Sequence, residues 1–210
     1  MLNRCPRVRR PHRAGFSLIE LMVAVAIASV LLAVAAPSFS TWIQNMRIRN
    51  TAGDILAGIE RAKAEAVQRN IYALFQLTTD LSGSCALSTT GTAWVVSQVL
   101  PATPTQTAAN ACNVAIDSSS TTPRVLATRQ PDVGNGVVVS SNQASLEYSA
   151  VGRRKDTNGL VTITVGSTNG TCYSSTNTSG NLTCLQITVS PGGETRMCNP
   201  RFPSTDPQGC

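Results

Sequence analysis

The feature that most constrains this 210-residue chain is an apolar run of 21 residues, Phe16 to Ala36, that carries a single charge, Glu20. As a helix rising about 1.5 Å per residue, the run reaches roughly 30 Å, the hydrocarbon thickness of a bilayer. Core helices of soluble domains are seldom this long or this uniformly apolar, so the run reads as a membrane anchor. A carboxylate inside such a segment is expensive to keep, and it marks a functional position whose partner has to be named. Pro37 closes the run. Without an N–H it interrupts the helical hydrogen-bond ladder.

Charge is distributed unevenly. The formal net charge is +6, but Arg4, Arg7, Arg9, Arg10 and Arg13 all precede the apolar run and no acidic residue accompanies them. Without these five arginines, twelve basic side chains face eleven acidic ones, and from Asn70 onward there are seven of each. Bulk electrostatics therefore give no case for a nucleic-acid binder. The leader arginines mark the end that stays in the cytoplasm, under the positive-inside rule.

Cys5 lies in the leader, and six further cysteines follow: Cys85, Cys112, Cys172, Cys184, Cys198 and Cys210. An even set in a Ser/Thr/Gly-rich region beyond a membrane helix points to disulfides in an oxidising compartment. Six cysteines allow fifteen connectivities. Pairing in sequence order is the expectation, because each pair then closes a modest loop. Metal binding is the weaker alternative, since there is no CxxC pair and the only histidine, His12, lies in the leader.

A secretory signal peptide places its small-residue cleavage site after the apolar run. Here a small residue, Gly15, stands before it, between the basic leader and Phe16. The stretch RAGFSLIELMVAVAIASVLLAVAAPSF, residues 13–39, closely resembles the amino terminus of type IV prepilins and type II secretion pseudopilins. The resemblance implies that a prepilin peptidase cuts after Gly15 on the cytoplasmic side and methylates the new amine of Phe16. Phe16, Glu20 and Pro37 would then be the first, fifth and twenty-second residues of the mature chain. By the same resemblance Pro37 kinks or loosens the long helix; from the residues alone, a helix break at the bilayer exit is the alternative. Cleavage leaves the anchor intact and creates a charged amine one helical turn from Glu20. That amine, from the same chain or from a neighbour in a growing filament, is the partner the carboxylate requires. A polar residue snorkelling at the membrane edge is the bland alternative.

After Ser40 the pattern becomes amphipathic. Ala52, Ile55, Leu56, Ile59, Ala62, Ala66 and Val67 recur three and four apart, which predicts one helix continuing to about Arg69 with its apolar stripe packed on a sheet. Arg61–Glu65 and Glu65–Arg69 are spaced to pair on its polar face, which is expected to be solvated. Beyond residue 70, IYALFQLTT, WVVSQVL, RVLAT, GVVVS, ASLEYSA, LVTITV and LTCLQITVS read as strands split by turns, with Asn158-Gly159 as a tight-turn signal. PATPTQTAANACNVAIDSSSTTP reads as a long loop that a Cys85–Cys112 pair would staple, and GTCYSSTNTSGNLTC as a polar excursion stapled by Cys172 and Cys184. The expected organisation is a cleaved leader at 1–15, a transmembrane and assembly helix at 16–39, its amphipathic continuation at 40–69 and a periplasmic β-rich domain at 70–210. This is an α+β fold of the pilin type, a long helix on an antiparallel sheet. The helix-then-sheet plan, with the stretch LEYSAVGRRKDTNGLVTITV, resembles the minor pilins and pseudopilins called GspH, FimT or FimU.

No enzyme emerges. The mature chain has no histidine, GDILAGIE lacks the closing GK[ST] of a P-loop, and the six mature aspartates show no dyad-like spacing. No cofactor or metal is expected. The leading function is a minor type IV pilin, held in the bacterial inner membrane with its carboxyl-terminal domain in the periplasm, then assembled into a pilus near the tip. Its partners would be prepilin peptidase, other major and minor pilins, and the inner-membrane assembly platform. A minor pseudopilin of type II protein secretion is one alternative; the polar six-cysteine domain leans toward the pilus. The other alternative, drawn from the FimT resemblance, is a DNA receptor for natural transformation. Its contacts would be Arg196 and Arg201 in the tail, with Arg153, Arg154 and Lys155 as a second basic spot. Solvated arginines or a subunit contact are the bland reading of that group.

Overall fold

Ile48, Ala52, Ile55, Ile59, Ala62 and Ala66 fall four and three apart, the spacing that lines one face of a helix, and all six are fully buried. They belong to helix α1, Leu18–Arg69. The computed structural model describes residues 15–99, 106–118, 123–131, 136–155, 159–174 and 177–210. It divides into two units, Met1–Ser40 and Thr41–Cys210.

In the first unit every described side chain from Gly15 to Ala33 is exposed. Leu18 and Leu32 are at least 70% exposed, so this apolar stretch has no core of its own. Among the described residues no single helix is long and apolar enough to cross a membrane. The pieces Leu18–Ala33 and Ser38–Arg69 pass that test together, by length and composition. Pro37 lies between these pieces, and its side chain falls outside the described residues, as do the leader arginines, Cys5 and His12.

Among the described residues the second unit packs the rest of α1 against two four-stranded sheets, where the sequence pattern suggests one. The first sheet has the order β3-β2-β1-β5, from β1 (Tyr72–Thr78), β2 (Ala93–Val99), β3 (Val125–Arg129) and β5 (Ser145–Tyr148). The second has the order β4-β6-β7-β8, from β4 (Val137–Ser141), β6 (Val161–Ser167), β7 (Leu185–Val189) and β8 (Thr195–Cys198). Every pairing is antiparallel. One core joins the α1 stripe to Phe75, Trp94 and Leu146 of the first sheet and Val139, Ile163 and Ile187 of the second.

Two glycines in the sequence GDILAGIE raise the question of why a helix interior tolerates them. Gly58 has a packing answer: a Cβ there would lie 2.7 Å from Trp94 Cε2 and 2.8 Å from Phe75 Cε2. The aromatic pair, with ring centroids 6.0 Å apart, sits directly on the helix backbone. Val67, placed by its spacing on the apolar stripe, is instead 51% exposed. At position 67 the helix has turned past the line through Ala62 and Ala66.

The strands β1 and β2 are buried on both faces. The face away from the main core is covered by a second small cluster of Cys85, Val95, Ala108, Cys112 and Val125. The described part of the long loop thus contributes core residues of its own. It is pinned by the Cys85–Cys112 disulfide and by Ala108 N–H, which donates to the buried Gln76 Oε1 at 2.8 Å.

Candidate functional site

The sequence Ser17-Leu18-Ile19-Glu20 starts α1, whose first helical residue is Leu18. The first amides of a helix have no partner within it, and a serine just before the helix can supply one. Ser17 Oγ does so, accepting the Glu20 N–H at 3.2 Å, while Ser17 O accepts the Leu21 N–H, also at 3.2 Å. Glu20 is therefore the third helical residue, the acidic position of an S-x-x-E capping box. Its carboxylate stands where the helix dipole is positive. Phe16 lies just outside the helix and is 84% exposed, and Gly15 has open space around its α-carbon. The segment leaves Gly15 and Phe16 exposed and sets the exposed side chain of Glu20 in the first turn of α1.

Residues 10–36 match the family model described as the prokaryotic N-terminal methylation motif. That motif covers the leader end, Gly15, Phe16, Glu20 and the apolar run of α1. The chain is similar to fimbrial protein Q of Moraxella bovis, at 31% identity over 77 residues, 37% of this chain and 49% of that protein. It is also similar to the type IV major alpha-pilin of the same organism, at 39% over 44 residues, 21% of this chain and 28% of that one. The chain thus spans about half, or less, of the length of these curated relatives. Among solved structures it is similar to the type IV minor pilin FimU of Pseudomonas aeruginosa. The identity is 16%, 78% of this chain and 94% of that one are covered, and the TM-score is 0.47. A second crystal form of FimU gives 16% identity, coverage of 77% and 98%, and a TM-score of 0.44. Among the described residues no group of three or more His, Cys, Asp or Glu side chains is placed to hold a metal.

The basic residues singled out in the sequence are mostly engaged within the fold. Arg154, read from the sequence as part of an exposed basic spot, is only 6% exposed. Its guanidinium donates to Gly159 O and Val189 O, each at 2.9 Å. The cause is the bridge between Tyr148 and Arg154, which sets this side chain inward. Arg153 is exposed. Lys155 pairs with Glu147 at 3.0 Å and lies 4.9 Å from the centre of the Tyr72 ring. In the tail, Arg196 Nη2 donates to Pro207 O at 2.7 Å and Gly209 O at 2.9 Å. Arg201 stacks over Tyr173 at 4.6 Å. Of the five cations, four are thus engaged within the fold.

Six cysteines are joined in sequence order, Cys85–Cys112, Cys172–Cys184 and Cys198–Cys210. Asn158 of the Asn158-Gly159 turn lies outside the described residues; Gly159 itself adopts φ +74°.

Sequence spacing pairs Arg61 and Arg69 with Glu65, and the structure forms both ion pairs at 2.5 Å. It also shows what spacing missed. Glu65 is 1% exposed, because positions 51, 58 and 65 share a buried line beside the main stripe. Arg69 reaches on to Asp117 at 2.7 Å, and Arg124 meets the same carboxylate at 2.8 Å. The Arg69 hydrogen bond, with the Arg124 charge beside it, holds Asp117 below its ordinary value against a smaller opposing desolvation effect. Arg69 is correspondingly raised, first by its bond to Asp117. Asp117 adopts φ +61° and no sequence signal links it to the helix.

Proposed function

We propose that this protein is a minor type IV pilin. The chain enters the inner membrane with its leader in the cytoplasm and its β-rich domain in the periplasm. Prepilin peptidase cuts between Gly15 and Phe16, and the new Phe16 amine is methylated. The exposed apolar helix then leaves the membrane for the filament, where neighbouring subunits cover it and where this subunit helps initiate assembly near the tip. The observation that carries this reading is the coincidence of the methylation motif at residues 10–36 with an uncovered apolar helix bearing Glu20 in its first turn.

Assembly on this reading is a charge-pairing problem. An amine or carboxylate buried alone costs several kcal/mol, and pairing the two recovers much of it. Glu20 sits one turn from the Phe16 amine of its own chain and is free to meet that of a neighbour. A subunit slipped along the helix bundle would leave both charges unanswered, so the pair sets the register. The curated relatives are named for fimbriae and pili, which supports the pilus over the secretion pseudopilus. Mass spectrometry of the amino terminus from cells with and without prepilin peptidase tests the processing step. A methylated Phe16 terminus, present only with the peptidase, is expected; a chain that keeps residues 1–15 in its presence overturns the reading.

A further inference from the structure

The carboxyl-terminal loop forms one wall of a groove of about 540 Å³. Asn199, Pro207 and Gln208 line that wall, and Trp42, Met46 and Arg49 of α1 line the other. Two ties hold the loop to β8. One is covalent, Cys198–Cys210, closing a separation of 12 residues. The other is the Arg196 fork to Pro207 O and Gly209 O. Both start on β8, which is paired to β7 through Thr188↔Arg196 and Gln186↔Cys198. Both end within the last few residues of the chain. Between them the chain folds back on itself, with Asn199 N–H donating to Gln208 O at 2.8 Å and Gln208 N–H to Asp206 Oδ1 at 2.7 Å.

A disulfide that alone held this tail would make the wall depend entirely on the bond. A guanidinium donating to two carbonyls is different. It is planar and permanently charged, and it fixes both acceptors at once. We propose that Arg196 is a second latch, parallel to the disulfide and independent of it. The groove wall then stands when either tie is present and comes away from α1 only when both are lost. This gives Arg196 a role within the fold, in place of the DNA contact considered from the sequence.

Hydrogen exchange of the full chain in detergent micelles tests this, read at the Asn199 and Gly209 amides with Ile163 in β6 as the reference. Removing the disulfide with Cys198→Ser and Cys210→Ser leaves the other two bonds untouched. That variant, and Arg196→Ala alone, should each change Asn199 protection by no more than about threefold, while the combination should lower it by roughly thirtyfold with Ile163 unchanged. Arg196→Lys, which keeps the charge and the donors but loses the planar guanidinium and its fixed geometry, should fall between in the disulfide-free chain. Full loss of Asn199 protection on removing the disulfide alone would overturn the proposal. So would retained protection in the combined variant, or a loss there that Ile163 shares.

Discussion

Ser17 Oγ accepts the backbone N–H of Glu20 at 3.2 Å. The charge that looks misplaced in an apolar run is thus also the acidic residue of a helix start. Two demands meet at one position: the first turn of α1 favours a carboxylate, and the amine that the proposed cleavage forms at Phe16 needs one. The demands are separable, because Ser17 serves only the first.

Ser17→Ala removes the cap and is expected to cost about 1 kcal/mol at the helix start. Amide exchange at Glu20 and Leu21 should rise about fivefold, while processing and assembly continue. Loss of assembly in this variant would mean that helix capping, rather than the Glu20 charge, is what the filament needs.

Gly58 is where the aromatic pair meets the helix, and a methyl group there would come within 2.7 Å of Trp94. Gly58→Ala gains about 1 kcal/mol of helix propensity but overpacks the contact by about 1–3 kcal/mol. The expected outcome is a lower melting temperature of the full chain in micelles. Gly53, whose Cβ would meet nothing within 4 Å, should tolerate alanine or gain stability. Equal behaviour of the two variants would remove the packing argument.

Asp117 ties the described 106–118 segment to the end of α1 through Arg69, with Arg124 beside it and Glu65 and Arg61 completing the network. Its folded-state value is depressed. The tie therefore contributes fully above the ordinary carboxylate value of about 3.9 and is lost as pH falls through the lower folded value. Amide exchange in 106–118 should accelerate on acidification below that range. Asp117→Asn should show the looser segment already at neutral pH, with no further acid step of its own. An acid step of unchanged size in Asp117→Asn would assign the effect to another group.

The Cys85–Cys112 bond closes a 27-residue separation over the small cluster containing Val95 and Ala108. Replacing both cysteines with alanine should cost about 3 kcal/mol in denaturant unfolding. The exchange of Ala108 N–H, held by Gln76, should rise before that of the main core. An unchanged denaturation midpoint would show that the cluster holds the loop unaided.

The long helix and the antiparallel strand pattern were legible because periodicity encodes them directly. Ala52 to Ala66 repeat at helical spacing, and β1 through β7 are short runs of β-formers between turns. Two sheets instead of one could not be read, since no local pattern says whether β4 continues the sheet of β1 or starts another. The strand β8 was missed because Thr195-Arg196-Met197-Cys198 is short and carries a charge; its pairing to β7 is what makes it a strand. Ala108 and Cys112 sit in a Thr/Ala/Ser-rich stretch whose mean composition hides the two residues that go inside. At the amino terminus the Gly15–Phe16–Glu20 spacing was plain, but the Ser17 cap was overlooked, although S-x-x-E is itself a sequence signal. Arg154 and Glu65 illustrate the opposite error. A charged side chain in a polar run reads as solvated until a bridge partner or a buried helix line turns it inward.

The most direct measurement is filament assembly by Glu20→Gln in cells that lack the wild-type chain. Glutamine keeps the size, the helix start and the Ser17 contact but removes the charge. The account predicts normal leader cleavage and normal membrane levels, with assembled protein reduced roughly tenfold or more, as loss of at least about 1.4 kcal/mol of pairing would require. Wild-type assembly by Glu20→Gln would contradict it.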